Sequence, residues 1–264
     1  MKSWVPNSIK FPFWWIFKSP QRSLGWYTLK NDLIGLGIQF KTRISKANPK
    51  PISICVGLFN RQEIFLKYFI PSLANCDNLD KIELSIVVCG NEDLAEFERQ
   101  IKMVYTGKLL IQKTEQTFTR ACTLNLAVKQ SSHEILFLCD ADFSIPKEIV
   151  QLCANNTFSN ACWFPIVFYL YKNKPPIYSS KNGEWMIWGG KGLLCMNRTQ
   201  YANLGGLDEK FITWGGEDED FWMRAHKASY IVIRSHEKGL LHHWHPSLNA
   251  KYKKLEELSD MGLL

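Results

Sequence analysis

Apolar residues along this chain gather in short blocks, and polar stretches with helical spacing separate them. Ile52–Leu58 (ISICVGL) and Ile82–Cys89 (IELSIVVC) are nearly unbroken apolar runs. Runs of this length flanked by turn-forming residues predict buried strands. Between them, Gln62–Leu73 has the spacing of an amphipathic helix. Leu94–Val104 predicts a helix, Leu109–Gln112 a short strand, and Thr117–Lys129 a further helix. Glu134–Cys139 (EILFLC) predicts a fourth strand, with Asp140 at its end. Strands alternating with helices imply a parallel, doubly wound sheet. Such sheets bind ligands beyond the carboxyl ends of their strands, so chemistry is expected just after each strand.

Past residue 155 the pattern is less regular. Ala161–Tyr171 is apolar and aromatic, whereas Lys172–Gly183 is polar, carries Pro175-Pro176 and predicts a mobile loop. Gly189–Gly192 and Gly205-Gly206 mark turns. Glu217–Lys227 predicts a helix with acids in its first turn, where the helix dipole favours them. Tyr230–Arg234 and Leu240–His245 predict strands. Pro49 and Pro51 punctuate the start of the main domain. The expected organisation is therefore an extension over residues 1–50 and one domain over 51–264, with halves at 51–155 and 156–264.

Composition separates these two parts. The chain has 264 residues, 46% of them hydrophobic, with ten Trp and sixteen Phe. That allows a substantial core. Aromatic faces also suit sugar rings, although most aromatics pack cores. Of the net charge of +7, residues 1–50 alone carry +8 (nine Lys/Arg against Asp32), leaving the main domain near neutral. A neutral body argues against nucleic-acid binding across the fold. The basic leader interleaves Trp4, Phe11, Phe13, Trp14, Trp15, Phe17, Trp26 and Tyr27 with lysines and Arg22. That mixture suits peripheral contact with an anionic membrane, or packing of the aromatics inward. Phe11–Phe17 is far shorter than a membrane span and contains Pro12. The eight cysteines form no CxxC pair and read as buried free thiols, which fits a reducing, cytoplasmic location.

Three motifs carry candidate chemistry. Asp140-Ala141-Asp142 follows an apolar strand and precedes Pro146. Carboxylates two residues apart at a strand end can face one Mn²⁺ or Mg²⁺ ion and its phosphates. Trp214-Gly215-Gly216-Glu217-Asp218-Glu219-Asp220 sets four consecutive acids after a glycine pair. Their mutual repulsion needs an offset, and a helix N-terminus supplies part of one. A carboxylate there can act as general base on a hydroxyl. His242-His243-Trp244-His245 holds half of the six histidines. On a strand, His243 and His245 would share a face; in a turn, His242 and His245 could converge on a metal.

Together these motifs resemble the GT-A glycosyltransferases. They are closest to the inverting family-2 type and to the C-terminal motif of β-1,4-galactosyltransferases and chondroitin polymerases. Gly189–Gly192, Gly205–Asp208 and Phe211–Asp220 match that C-terminal block. Phe118–Asn125 resembles the segment that contacts the nucleotide, and Val56–Arg61 the loop that holds uracil and ribose. The motifs cover residues 52–246. The resemblance implies a Rossmann-like, mixed and mostly parallel sheet flanked by helices. It implies transfer from a UDP-sugar to a saccharide or glycolipid acceptor, such as a surface polysaccharide.

Roles follow position by position. Asp142, His245 and His242 would hold the metal, His242 standing where the galactosyltransferases have Met. Asn60, Arg61, Glu92, Arg120, Asn125, Asp140, Ala141 and Gly190 would line the nucleotide-sugar. Asp218 would be the base, and Glu217, Trp214, Gly216 and Trp188 would meet the acceptor. The chain departs from the galactosyltransferases at Glu219 and lacks their proline in the first-strand loop. A single displacement would invert the anomeric carbon, beneath a lid formed by Lys172–Gly183. Two alternatives are a retaining transferase, which would not need Asp218, and a non-catalytic carbohydrate-binding protein.

Overall fold

The computed structural model describes Lys30, Leu33, Ile34, Gly37 and residues 47–90, 93–158, 160–187, 189–212 and 215–246. The expected extension and its aromatic-basic face lie almost wholly outside these residues. Among the described residues no helix is long and apolar enough to cross a membrane.

Strands β1 (Ile52–Leu58), β2 (Ile82–Cys89), β3 (Lys108–Thr114) and β4 (Ile135–Cys139) form the parallel heart of a seven-stranded sheet. It is completed by β6 (Ala161–Trp163), β9 (Leu194–Asn197) and β10 (Ile231–Ile233), in the order β10-β6-β9-β4-β1-β2-β3. Strand β9 runs antiparallel to both β4 and β6, so the sheet is mixed and mostly parallel. The apolar runs of β1 and β2 are continuous because both faces are covered. Ile52, Ile54, Val56 and Leu58 pack against Phe65, Phe69 and Phe97 on one face. Cys55, on the other face, joins Ala121, Leu124 and Ala127 of a helix, α3 (Arg120–Gln130). Gly57 lets that helix approach closely, since a Cβ there would lie 2.2 Å from Thr123 Oγ1.

A second sheet of four strands, β5 (Phe143–Ser144), β11 (His236–His242), β7 (Ile166–Leu170) and β8 (Gly183–Trp185), lies in the order β5-β11-β7-β8. It brings the segment after Asp142 beside the histidine motif, with His242 paired to Phe143 and to Tyr169.

Several boundaries differ from the sequence expectation, each for a local reason. Helix α3 begins at Arg120, not Thr117, because Thr119 is extended and its hydroxyl accepts the Cys122 N–H at 3.1 Å. Strand β3 is longer than expected because it pairs with β2 from Glu83 to Cys89. The helical stretch after β1, α1, runs as Gln62–Ile64, a π-helical turn Phe65–Phe69, and Ile70–Ala74. Strand β11 starts four residues before Leu240 and ends at His242, where His243 N–H donates to the Asp142 carbonyl at 2.8 Å. The proline-bearing Lys172–Gly183 segment, expected to be mobile, is folded down. Tyr178 stacks on Trp185 at 5.6 Å and its hydroxyl accepts the Gly239 N–H at 2.5 Å.

At the opposite end of the sheet from the strand carboxyl termini, the fully buried Glu83 joins three segments. It accepts from Ser53 Oγ (2.8 Å), Ser132 N (2.6 Å), Ser132 Oγ (2.7 Å) and Lys108 Nζ (2.5 Å). Burial alone would raise this carboxyl, but those donors hold it at about 2. The folded value lies below the unfolded one of about 4.3, so the stabilisation is present above that pH and lost as pH falls toward 2. Glu83→Gln should therefore lower the urea midpoint at pH 7 and flatten its decline between about pH 4.3 and 2. An unchanged slope in that window would rule out Glu83 as the titrating group.

Candidate active site

The loops at the carboxyl ends of β1 and β4 and the turn after β11 converge on one cleft. Asp142, partly buried at the end of the β4 loop, has its Oδ2 2.7 Å from His245 Nε2 and 3.7 Å from His242 Nε2. One ligand atom from each of these three residues lies within 4.8 Å of the others. Of the two arrangements open to the histidine motif, the structure adopts the turn. His243 is turned aside, its ring 3.7 Å from Tyr68 in a parallel stack and its Nε2 2.7 Å from Ser144 Oγ.

The donor chemistry of this cluster fits a divalent cation. Asp142 Oδ1 and His242 Nδ1 are buried without a hydrogen-bond partner among the described residues. Both ring nitrogens of His245 face oxygen, Nε2 toward Asp142 and Nδ1 toward the Pro246 carbonyl at 3.0 Å. An Nδ1–H donated to a carbonyl leaves Nε2 as a metal ligand. Burial would raise Asp142, but His242, His245 and Arg61 hold it below the usual carboxylate range. Burial depresses His242, whereas for His245 the Asp142 contact overcomes burial and raises it. Carboxylate oxygen with two imidazole nitrogens suits Mn²⁺-like ions.

Beside this cluster lies a bridge that the sequence does not reveal. Arg120, the first residue of α3, donates from Nε to Asp140 Oδ1 at 2.6 Å. Its Nη2 donates to the Gly192 carbonyl at 2.5 Å and its Nη1 to Glu217 Oε1 at 3.3 Å. One partly buried guanidinium thus joins the Asp140 motif, the glycine-rich turn and the acidic helix α6 (Glu217–Lys227). Burial would lower its pKa, but Asp140 and Glu217 raise it, so it stays charged. The other acids of α6 are also matched. Lys191 Nζ contacts Glu219, and Arg224 Nε donates to Asp220 at 2.7 Å. Asp218 is the one acid of the four with no ion pair among the described residues. Its Oδ1 accepts only the adjacent Glu219 N–H, and it lines a narrow cleft with Arg120, Lys191 and Gly192.

With this geometry in place, a family model of chondroitin N-acetylgalactosaminyltransferases matches residues 29–258. The chain belongs to this glycosyltransferase family. The match is wider than the motif-bearing stretch 52–246 and takes in part of the basic leader. Human chondroitin sulfate synthase 3 is 27% identical over 224 residues, covering 75% of this chain and 25% of that protein. Human chondroitin sulfate N-acetylgalactosaminyltransferase 2 is 28% identical over 217 residues, covering 74% of this chain and 40% of that protein. The chain thus spans a quarter to two fifths of the length of these curated relatives. Among solved structures, a Pyrobaculum calidifontis mannosyltransferase in complex with GDP-Man and Mn²⁺ superposes with a TM-score of 0.56. That pair is 15% identical and covers 81% of this chain and 65% of the other, a likeness of fold. The fold is GT-A, as the motifs imply.

Within this glycosyltransferase fold the expected site residues divide. Asp140, Asp142, Arg120, Glu217, His242 and His245 come together. Asp218 sits at the start of α6 and the buried Ala141 separates the two carboxylates of its motif. Arg61 Nη2 donates to the Pro246 carbonyl at 3.2 Å, tying the β1 loop to the histidine turn, and Asn60 makes the preceding turn at φ 53°. Asn125 is not in the cleft chemistry. Its amide donates to the Leu207 carbonyl and Glu209 and accepts from Leu207 N–H and Tyr201, clamping the Gly205-Gly206 turn to α3. Gly190 and Gly216 both hold positive φ, at 63° and 102°, and shape turns. The glycine against the Asp140–Arg120 pair is Gly192, where a Cβ would lie 3.2 Å from both side chains. Glu92, Trp188 and Trp214 lie outside the described residues. Tyr68, Ser144 and Tyr169 also contact the histidine motif, and no sequence motif marks them. Nor does the sequence single out Lys191, which sits within the quoted glycine segment.

Removing the bridge should be costly. Arg120→Met leaves Asp140 and Glu217 without their cation and should destabilise the fold by about 1–3 kcal/mol, less than for a fully buried pair because Asp140 is about one-third exposed. Chemical denaturation would check this, and a change below about 1 kcal/mol, the scale of an exposed pair, would show that the bridge is not formed in solution.

Proposed function

We propose that this chain transfers a sugar from a UDP-sugar to a saccharide acceptor with inversion, in a reaction that depends on a divalent metal. The observation that carries this reading is the division among acids at one cleft. Asp142 converges with two histidines, three acids of α6 are ion-paired, and Asp218 alone of the four makes no direct ion pair among the described residues. Asp142, His242 and His245 would hold Mn²⁺ or Mg²⁺, and a cation there supplies charge neutralisation for a leaving diphosphate. Asp218, which makes no direct ion pair among the described residues, takes the proton from the acceptor hydroxyl as that oxygen attacks the anomeric carbon. Arg120 keeps the base helix and Asp140 in register, so nucleophile and donor are held together before the reaction. Attack from the face opposite the leaving group turns an α-linked donor into a β-glycoside.

The relatives' names point to N-acetylgalactosamine as the first donor sugar to test, with glucosamine-type and simple hexose donors beside it. The acceptor is proposed as a growing polysaccharide or a glycolipid. Contact of residues 1–50 with a membrane surface at its cytoplasmic side is proposed on their composition. The eight free, buried cysteines fit that location. The chain is read as one catalytic domain over 51–264, with donor contacts mainly from 51–155 and acceptor contacts mainly from 156–264.

Asp218→Asn should reduce transfer by about 10²–10⁴-fold, the range for a lost general base, while leaving Mn²⁺-dependent donor binding intact. Asp142→Asn should abolish metal-dependent donor binding itself. Proton NMR of the product should show a β-linkage. An α-linked product would sink the inverting mechanism, and full activity of Asp218→Asn would sink the assignment of the base.

A further inference from the structure

The two histidines of the metal cluster are not oriented in the same way. A ligating imidazole is ordinarily fixed by its second nitrogen, which donates to a carbonyl or carboxylate. His245 follows that pattern through Nδ1 and the Pro246 carbonyl at 3.0 Å. His242 does not, because its Nδ1 is buried and has no hydrogen-bond partner among the described residues. What meets His242 is an aromatic surface. The Tyr169 ring lies parallel to the imidazole, with centroids 4.1 Å apart and planes 10° apart. Phe143 closes the other sides, edge-on to His242 at 5.2 Å and to Tyr169 at 6.1 Å. The placement is built into the second sheet, since Tyr169 on β7 and His242 on β11 are register partners.

We propose that Tyr169 is a positioning residue for the metal centre, holding the His242 ring plane by face-to-face stacking so that Nε2 points at Asp142. The proposal rests on the metal-site reading given above. Two physical effects act together. The stack and the Phe143 edge leave the imidazole few rotations about its Cβ–Cγ bond, which replaces the missing Nδ1 hydrogen bond. The electron-rich phenol face also favours an imidazole that carries positive charge, as one bound to a cation does. Asp142 Oδ2 then faces both Nε2 atoms, at 2.7 Å and 3.7 Å. Phenylalanine presents the same face and can replace tyrosine here; an aliphatic side chain cannot.

Titrating Mn²⁺ into the metal-free full chain by calorimetry tests this without recourse to activity. Tyr169→Leu should weaken Mn²⁺ binding by about 10-fold or more, the scale of lost outer contacts to a ligand, and Tyr169→Phe should stay within about 2-fold of the parent. In a His242→Ala background, Tyr169→Leu should cost nothing further, because the tyrosine acts through that histidine. Tyr169→Met serves in the same titration if the leucine chain does not fold by circular dichroism. The proposal is overturned if folded Tyr169→Leu binds Mn²⁺ like the parent, if Tyr169→Phe is as weak as Tyr169→Leu, or if the loss persists without His242. Asp142→Asn separates the two readings. If it loses Mn²⁺ binding while Tyr169→Leu keeps it, only the stacking role fails; if it keeps binding, the metal centre itself is wrong.

Discussion

One partly buried guanidinium ties the cleft together. Arg120 opens α3 beneath the sheet, yet its three donors reach the Asp140 motif, the Gly192 carbonyl and the first acid of α6. These partners are 20, 72 and 97 residues away in the chain. A cation that is taken out of water this far remains only if its partners are good. The dependence therefore runs in both directions. The acids keep Arg120 charged, and Arg120 keeps two acidic motifs from repelling each other across the cleft. Lysine could match the charge but not the fork that reaches three segments at once.

The fold was legible where burial is uniform. β1 and β2 are covered on both faces, so their apolar runs ended at the predicted residues. Helix α6 was legible because acids cluster at its first turn and bases at its last. Boundaries set by one side chain were not legible. Thr119 caps α3 three residues later than the periodicity suggested, and His243 halts β11 by hydrogen-bonding back to Asp142. Both depend on partners that hydrophobic spacing does not encode. Lys172–Gly183 likewise reads as a free loop from its prolines and polar residues, but Tyr178 pins it through Trp185 and Gly239.

The site shows the same division. Residue types and order single out Asp142, His245 and Asp218 as candidates, because chemistry of that kind is written in short motifs. Whether His242 or His243 joined them turned on strand against turn, which the motif alone left open. Asn125 shows the opposite case, since a segment that resembles a nucleotide contact also contains the amide that locks the Gly205-Gly206 turn. Position within a motif located the neighbourhood, and the hydrogen-bond partners then decided the role.

Charge pairing gives the cleft its chemical direction. Asp140, Glu217, Glu219 and Asp220 are each matched by a permanent cation, from Arg120, Lys191 and Arg224. Asp142 and Asp218 make no direct ion pair with a lysine or arginine among the described residues, although Arg61 and Arg120 act on them through space. Asp142 faces histidines, which can give up a proton and ligate, so in the proposed reaction its charge would serve a cation that arrives from solution. Asp218 accepts a single backbone N–H and keeps lone pairs available, which is what the proposed role of base requires. The run of four acids that would repel one another in isolation is thus three ion-paired acids and one without a direct ion pair among the described residues. That selection follows from where the arginines and lysines fall, and it needs no difference in the acids themselves.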